Sequence, residues 1–349
     1  MAEGLSPLDE AHLWRAFWLA RRAVPSLVEP NPPVGAILAI GEEILGEGFH
    51  ARFGEAHAEI VALRQVKQPT RLAEATLYVT LEPCCHTSKK TPPCVPAIVE
   101  AGIKRVVVGH LDPNPAVAGQ GVALLQKAGL TVQVASSAIP SARLLRHFWV
   151  NVRYGRPYIT LKWAQTAGPT GRFPFSGGIM GSRQQGRLAI SGFWGKVWAH
   201  RLRAQHSHLA VGWRTWHLDR PALTTRYFPG SNPIPLVLYH PARATALSLP
   251  FYPAPQIDRD FAQTLYQTHK VGSLLVEGGA HTLNQFLAAD LWDEIHVIVA
   301  YREVAVPSEA VVLAPALPLS YSWHRLTLSP KEEVWIARRP QAKDEIALP

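Results

Sequence analysis

The sequence predicts an α/β protein of two domains, and three observations support this fold class. The chain has 349 residues, which is long enough for two domains of ordinary size. Short apolar segments typical of strands alternate with amphipathic segments typical of helices. The pattern changes around residues 148–156, so we place the first domain at residues 1–150 and the second at residues 151–349.

The first domain is predicted from apolar periodicity and from the residues that punctuate it. A helix over residues 7–23 has Leu13 and Phe17 on one face, and the turn beginning at Gly41 joins two strands into a hairpin. A later helix begins at Pro93 and is followed by Gly102, the usual order of these two residues. The predicted strands are 36–40, 44–49, 77–81, 106–108 and 130–134, and the predicted helices are 7–23, 57–66, 93–101 and 122–128.

The composition is that of a well-packed globular protein, with 47% hydrophobic and 17% charged residues. The formal net charge is +9, but lysine and arginine are scattered without a dense basic run, so small phosphorylated substrates are favoured over nucleic acid. The N-terminus carries acidic residues, unlike a secretory signal, and no apolar run approaches the ~18 residues of a membrane span. The three cysteines are clustered, which suits a reducing compartment. We expect a cytoplasmic protein without membrane contact, and a homo-oligomer is compatible with the sequence.

The cysteines belong to a pattern that predicts a metal site. His57-Ala58-Glu59 is followed by Glu82-Pro83-Cys84 and by a T-P-P-C segment ending at Cys94. H-x-E followed by P-C and a second cysteine is the signature of zinc deaminases, in which two thiolates and one imidazole leave the fourth zinc position to water. The candidate ligands are therefore His57, Cys84 and Cys94, and Glu59 is the candidate general acid and base. Buried thiols beside an unrelated histidine are the alternative, which the joint order of the three motifs disfavours.

The spacing of the cysteines indicates a particular kind of deaminase. Nucleoside and tRNA deaminases usually carry P-C-x-x-C, whereas nine residues separate Cys84 and Cys94 here. The long loop resembles the deaminase half of the bifunctional deaminase/reductases of riboflavin biosynthesis, as do P-N-P-x-V-G around Asn31 and D-P-N-P…G-x-G from Asp112. The resemblance implies a cytidine-deaminase-like three-layer domain, bound zinc, and contact between Asn31 and the pyrimidine. From the residues alone, Asn31 between two prolines could equally cap a turn.

The second domain is predicted to be another three-layer α/β sheet. A mixture of strands and helices is predicted over residues 159–164, 196–204, 209–211, 236–239, 261–268, 273–276, 281–288 and 295–299. Residues 229–235 and 247–255 are predicted surface loops because they are rich in proline.

Several segments of this half resemble the reductase half of the same bifunctional family. They are R-P-Y-I-T-L-K-W-A from Arg156, H-R-L-R-A from His200, D-R-P-A-L-T from Asp219 and V-E-G-G-A from Val276. The resemblance implies a dihydrofolate-reductase-like domain that uses NADPH. It assigns the substrate to Arg203, Arg226 and Glu277, and the cofactor to Ala164, Thr215, Asp219, Gly278 and Gly279. These roles are chemically reasonable, because a glycine turn before a helix can present N–H groups to a phosphate and guanidinium groups bind phosphates.

Four positions depart from the family pattern. Gly168 and Arg220 stand where the family usually has aspartate and aspartate or asparagine, and Ala189 replaces a usual tryptophan. Val61 replaces a histidine that often follows the H-A-E motif. The zinc loop also carries about one extra residue, which makes Cys85 a rival to Cys84 as a ligand. Because E-P-C anchors a strand end, Cys84 is the preferred ligand.

The leading functional hypothesis is therefore a two-step enzyme. Zinc-dependent hydrolytic deamination of 2,5-diamino-6-(5-phosphoribosylamino)pyrimidin-4-one would precede NADPH-dependent reduction of the ribosyl chain to ribityl. One alternative keeps the deaminase and makes the second domain a weak reductase or a scaffold, on account of the departures. Another is a nucleic-acid-editing deaminase that exploits the basic charge; steep salt dependence of RNA binding would be its mark.

Overall fold

The computed structural model describes residues 4–86, 91–114, 118–135, 141–175, 177–184, 188–240 and 251–339. The chain divides into two compact units between Tyr154 and Gly155. The boundary predicted at residue 150 lies slightly earlier, inside the helix that ends at Tyr154. Among the described residues, no helix is both long and apolar enough to cross a bilayer.

The first unit contains a five-stranded sheet in the order β2-β1-β3-β4-β5. Strand β1 is antiparallel to both of its neighbours, whereas β3, β4 and β5 run parallel. Its elements are α1 (Pro7–Ala20), α2 (Pro25–Val28), β1 (Gly35–Ile40), β2 (Glu43–Phe49), α3 (Ala58–Leu63), a 3-10 turn (Pro69–Ala73), β3 (Thr76–Val79), α4 (Cys94–Glu100), β4 (Arg105–Val108), α5 (Gln120–Lys127), β5 (Thr131–Val134) and α6 (Ser141–Tyr154).

Alternate residues of the central strands face opposite sides of the sheet, and helices pack on both sides to give three layers. Leu38 of β1 and Leu77 of β3 face one core with Ala62 of α3 and Ile98 of α4. The intervening residues Ile37, Tyr78 and Val107 face a second core formed with Leu13 and Phe17 of α1. Successive strand residues point to opposite faces, so strands that are apolar at every position require helices on both sides.

Helix α3 lies unusually close to β2, and two glycines make this possible. A Cβ atom on Gly46 would lie 2.2 Å from the carbonyl oxygen of Ala62, and one on Gly48 would lie 2.7 Å from that of Ala58. Any larger residue would therefore push away the helix on which Glu59 is carried.

The second unit contains an eight-stranded sheet in the order β10-β9-β8-β11-β6-β12-β15-β14. The first six strands in this order are parallel, and β15 and β14 are antiparallel. A separate two-stranded sheet pairs β7 with β13. The elements are β6 (Tyr158–Thr166), β7 (Ile179–Ser182), α7 (Phe193–Ala204), β8 (His208–Gly212), α8 (Trp213–Asp219), β9 (Ile234–Tyr239), β10 (Phe251–Pro253), α9 (Arg259–Gln267), β11 (Ser273–Val276), α10 (Ala280–Ala288), β12 (Glu294–Ala300), a 3-10 turn (Ser308–Ala310), β13 (Val311–Leu313), β14 (Trp323–Ser329) and β15 (Glu332–Arg338).

Helices cover both faces of this sheet as well. On one face Leu274 and Val276 of β11 pack with Phe261 of α9 and Phe286 of α10. On the other, Leu275 packs in a cluster that includes Leu202 of α7. The α/β class and the three layers predicted for each domain are confirmed.

The structure corrects several predicted boundaries. The first helix ends at Ala20 rather than residue 23, and the helix predicted from residue 57 begins at Ala58, with His57 as its N-cap residue. Part of the loop predicted over 247–255 is the edge strand β10, and residues 247–250 lie outside the described residues. The loop predicted over 229–235 gives way to β9 at Ile234. Helices α6 and α8 and the β14–β15 hairpin were not predicted from the apolar periodicity.

Candidate zinc and dinucleotide sites

Three elements bring the predicted metal ligands together. His57 is the N-cap residue of α3, Cys84 follows β3 after a short turn, and Cys94 is the first residue of α4. Nδ1 of His57 lies 3.2 Å from Sγ of Cys94 and 3.4 Å from Sγ of Cys84. All three donor atoms lie within 4.8 Å of one another. Zinc with bonds of about 2.0 Å to nitrogen and about 2.3 Å to sulfur places tetrahedral ligands about 3.5 Å apart, so the donor set fits zinc.

The thiols of this group share a proton when they are free. The hydrogen bond from Cys94 lowers the pKa of the Cys84 thiol, and the same bond, together with burial, raises the pKa of the Cys94 thiol. The backbone N–H of Cys94 also donates to Sγ of Cys84 at 3.4 Å. Bound zinc would replace the shared proton and hold both sulfurs as thiolates. Cys85 does not belong to the donor group found among the described residues.

Glu59 lies beside these ligands and has an unusual environment. Its side chain is buried, and within the described residues its Oε2 atom has no hydrogen-bond partner. Burial, reinforced by the negative charge of Cys84, raises the pKa of the carboxyl group. A buried carboxyl with an unpaired oxygen next to a zinc-type donor set is suited to take a proton from water and return it to a leaving amine.

Asn31 is connected to the predicted metal ligands by His50, which was not among the predicted site residues. Nδ1 of His50 donates to the carbonyl oxygen of Ala56 at 3.1 Å, so Nε2 accepts from the amide of Asn31 at 3.0 Å. The rings of His50 and His57 meet edge to face with their centroids 5.2 Å apart. The position of His50 at the end of β2 was the available signal, since sites gather at strand ends.

The D-P-N-P…G-x-G segment is anchored by the residue that precedes Pro83. The buried carboxylate of Glu82 accepts backbone N–H groups from Asp112 at 3.0 Å, Gly119 at 2.9 Å and Val122 at 3.1 Å. A Cβ atom on Gly121 would lie 2.2 Å from the carbonyl oxygen of Pro83. Residues 115–117 of the segment lie outside the described residues. Glu82 thus links this loop to the strand end that presents Cys84.

In the second unit, two predicted substrate residues contact each other. Arg203 on α7 donates from Nε to Oε1 of Glu277 at 2.9 Å and from Nη2 to Oε2 at 2.6 Å. Nζ of Lys162, which the sequence analysis did not select, lies 4.0 Å from the same carboxylate. Burial by itself would raise the pKa of Glu277, but the charges of Lys162 and Arg203 outweigh it and lower the pKa to about 2. Lys162 begins the K-x-A segment on β6, and this segment was the sequence signal that could have identified it as a site residue.

Arg226 stands beside this pair on an exposed loop. Its guanidinium donates to Oγ1 of Thr224 at 2.6 Å, while the Thr224 carbonyl oxygen accepts from Arg203 at 2.8 Å. The backbone N–H of Arg226 donates to Nδ1 of His200 at 2.7 Å. Burial, followed by the nearby Arg203 and Arg226 cations, lowers the pKa of His200 to about 4, so the ring is neutral at pH 7. His200 belongs to the H-R-L-R-A segment but was not among the predicted site residues.

Three of the predicted cofactor residues, Gly278, Gly279 and Thr215, lie at the carboxyl ends of two adjacent parallel strands. Strand β8 leads into α8 through Gly212, and β11 leads into α10 through Gly279, which has φ +42°. A Cβ atom on Gly279 would lie 2.7 Å from Oγ1 of Thr215, and one on Gly278 would lie 2.8 Å from the N atom of Gly212. Backbone N–H groups at helix starts are groups that can bind the phosphate of a dinucleotide.

The structure also shows where the two remaining cofactor candidates lie, together with three of the positions that depart from the family pattern. Asp219 is the last residue of α8, and Ala164 lies on β6 opposite Ile298 of β12. Gly168 has φ +71°, a conformation that favours glycine. Arg220 follows α8 as its C-cap residue with φ +39° and is exposed, as is Ala189.

Comparison with known proteins gives matches in both units. The family described as cytidine and deoxycytidylate deaminase zinc-binding region matches residues 7–110, and the RibD C-terminal domain family matches residues 258–301. Riboflavin biosynthesis protein RibD of Synechocystis is 37% identical over 75% of this chain and 66% of that protein. RibD of Aquifex aeolicus is 34% identical over 84% of this chain and 87% of that protein. The crystal structure of a Thermotoga maritima diaminohydroxyphosphoribosylaminopyrimidine deaminase/5-amino-6-(5-phosphoribosylamino)uracil reductase is 28% identical, with a TM-score of 0.77, and covers 95% of this chain and 98% of that chain. These similarities confirm the fold predicted for both domains.

Proposed function

The chain belongs to the family of riboflavin biosynthesis protein RibD, and from this premise we propose that it catalyses two consecutive steps of riboflavin synthesis. The first unit hydrolytically deaminates 2,5-diamino-6-(5-phosphoribosylamino)pyrimidin-4-one. The second unit reduces the ribosyl chain of the deaminated product to ribityl with NADPH. The observation that carries this proposal is the convergence of one imidazole and two thiols beside a buried carboxyl with an unpaired oxygen.

In the deaminase site, His57, Cys84 and Cys94 would hold zinc. Zinc, when bound, lowers the pKa of a water molecule and makes hydroxide available near neutral pH. Glu59 would take the proton released by that water and deliver it to the departing amino group, which leaves as ammonia. Its raised pKa suits a group that must hold and release one proton in each cycle. Asn31, ordered by His50, would bind the pyrimidine through its amide.

In the reductase site, we assign the cofactor to Gly278, Gly279 and Thr215, together with Asp219 and Ala164. The NADPH phosphates would accept backbone N–H groups at the starts of α8 and α10. Because NADPH itself carries the hydride, these residues have only to bind and orient it.

The phosphorylated substrate would be held near Arg226. The exposed guanidinium of Arg226 can bind a phosphate, whereas the guanidinium of Arg203 already donates two hydrogen bonds to the carboxylate of Glu277. Arg203 and Glu277 would then bind the substrate as a hydrogen-bonded pair. The scattered positive charge supports a small phosphorylated substrate rather than nucleic acid. The free cysteines support a reducing compartment such as the cytoplasm.

Two alternatives are not favoured. A scaffold role for the second unit and a nucleic-acid-editing role both fit poorly with relatives in which the similarity runs through both domains. Of the departures, Arg220 and Ala189 are exposed at the surface and Gly168 occupies a turn conformation suited to glycine.

Product analysis with the purified zinc-loaded protein tests the proposal. Without NADPH, we expect one equivalent of ammonia per substrate and accumulation of 5-amino-6-(5-phosphoribosylamino)uracil. With NADPH, we expect equimolar loss of absorbance at the nicotinamide band and the ribityl product. Deamination without any NADPH oxidation would support the scaffold alternative, and no ammonia release would refute the deaminase assignment.

A further inference from the structure

The second ring nitrogen of His57 has a partner that no part of the proposed reaction uses. Nε2 of His57 lies 3.0 Å from Oγ1 of Thr91, on the side of the ring away from the two thiols. Thr91 is half-buried and precedes Cys94 by three residues in the T-P-P-C segment. Two residues of the T-P-P-C segment therefore contact His57, with Cys94 at Nδ1 and Thr91 at Nε2.

The direction of the Thr91 hydrogen bond follows from the chemistry of imidazole. Nδ1 faces both sulfurs and is the nitrogen available to a metal, so it must be unprotonated when zinc is bound. The proton of the neutral ring then resides on Nε2. Nε2 must therefore donate and Oγ1 of Thr91 must accept. A donated N–H bond of this kind fixes the tautomer, prevents rotation of the ring and increases the basicity of the coordinating nitrogen.

We propose that Thr91 is the positioning residue of the zinc site, holding His57 as the Nε2–H tautomer with Nδ1 directed at the metal. This inference rests on the zinc ligands assigned in the proposed function. It assigns a role to the hydroxyl of Thr91 in metal affinity, and it places that hydroxyl outside the set of groups that touch the substrate or the reacting water.

The inference also gives a physical reason for the long spacing of the cysteines. A P-C-x-x-C loop has only two residues between its thiols, whereas nine residues separate Cys84 and Cys94. Here the backbone N–H groups of Cys94 and Val95 both donate to the carbonyl oxygen of Cys84, at 3.0 and 3.2 Å, so the two ends of the loop are tied together. Thr91 is one of these nine residues, and its hydroxyl contacts the ring of His57 at Nε2.

Two substitutions of Thr91 separate the hydroxyl from the bulk of the side chain. Thr91→Val keeps the branched shape and removes the acceptor, whereas Thr91→Ser keeps the acceptor and removes a methyl group. The zinc dissociation constant of the whole chain would be measured by competition with a chromophoric chelator at pH 7.5. We expect Thr91→Val to raise it about 10–100-fold, the usual cost of losing such a partner, and Thr91→Ser to raise it less than about threefold.

Nitrogen NMR of histidine-labelled protein supplies a readout that a purely structural role would not change. In the zinc-loaded wild type and Thr91→Ser we expect His57 to show a protonated Nε2 with slow proton exchange, and in Thr91→Val a faster exchange of that proton. Matching unfolding transitions of the metal-free variants would show that the fold is unaltered. If Thr91→Val destabilises the metal-free fold, comparison of Thr91→Ser with Thr91→Ala by the same NMR signal replaces it.

The outcomes distinguish this inference from the proposed function. A wild-type chain that binds no zinc would overturn the ligand assignment itself. A wild type that binds zinc, with Thr91→Val binding equally tightly and exchanging its Nε2 proton equally slowly, would overturn the role of Thr91 and leave the deaminase assignment intact.

Discussion

Replacing Glu277 by glutamine should destabilise the second unit strongly, because it leaves two cations without their counter-ion. The carboxylate accepts two hydrogen bonds from Arg203 and lies 4.0 Å from Nζ of Lys162. The side chains of Arg203 and Glu277 are only 10% and 8% exposed, so water cannot take over the role of the missing charge. Glutamine has nearly the same shape, and the change therefore tests charge rather than packing.

The magnitude can be worked out in two independent ways. Removing one member of a buried ion pair typically costs about 3–5 kcal/mol. The pKa of Glu277 falls from an ordinary value of 4.5 to about 2 on folding, because Lys162 and Arg203 outweigh the opposing effect of burial. At about 1.4 kcal/mol for each pKa unit, this corresponds to roughly 3 kcal/mol of folding free energy at pH 7. For a domain of this size the loss should lower its Tm by about 6–12 °C.

The pH dependence has a definite sign. A carboxyl group whose pKa is lowered by folding contributes its full stability above the pKa of the unfolded chain, and the contribution disappears as the pH falls through the folded pKa. The difference between wild type and Glu277→Gln should therefore be constant from pH 7 to about 5. This difference in the free energy of unfolding should shrink as the pH falls from 4.5, the ordinary pKa of the group, to about 2, its pKa in the folded chain.

Urea unfolding followed by tryptophan fluorescence is the assay, since most of the eleven tryptophans belong to the second unit. The two units can unfold in separate transitions, so each transition is fitted by itself. Arg325→Gln is the matched control: Arg325 is 60% exposed and lies 3.6 Å from Glu333, and its loss should cost less than about 1 kcal/mol. If Glu277→Gln is as stable as this control at pH 7, the argument from an uncompensated buried charge is wrong.

Three further predictions concern the first unit and the end of α8. Glu59→Gln should keep its zinc and lose ammonia release by about 10²–10⁴-fold, because an amide cannot carry the proton. Cys84→Ser should lower the zinc content measured by atomic absorption, whereas Cys85→Ser should leave it near one ion per chain, since Cys84 belongs to the donor group found among the described residues and Cys85 does not. Arg220→Asn should raise the Tm of the second unit by up to a few degrees, because Arg220 has φ +39° and asparagine tolerates this conformation at lower cost.

Each of these predictions has a result that would contradict it. Near-normal ammonia release by zinc-loaded Glu59→Gln would remove that residue from proton transfer. Zinc loss on changing Cys85 but not Cys84 would reverse the ligand assignment. A lower Tm for Arg220→Asn would mean that the arginine side chain contributes more than its backbone conformation costs.

The sequence alone determined the residue types of the zinc site and the class of fold. Metal chemistry restricts the ligands to a few side chains, so an ordered set of one histidine and two cysteines identifies them even though His57 and Cys84 lie 27 positions apart. Apolar runs in the strands likewise indicate helices on both faces of a sheet, because each strand residue must be covered on its own side. The sequence did not determine the helix boundaries, as the N-cap position of His57 shows, because local periodicity does not mark the first residue of a helix.

Only the tertiary structure decided how the chosen residues are paired. Arg203 and Glu277 lie 74 positions apart, and nothing in either segment predicts that one neutralises the other. The same holds for Asn31 with His50 and for Thr91 with His57, where the partner depends on how strands and loops pack rather than on spacing along the chain. Hydrogen bonds require atoms within about 3.5 Å in a suitable direction, and packing between distant segments sets such distances. Covalent sequence supplies the groups, and the close approach of separate elements selects which of them interact.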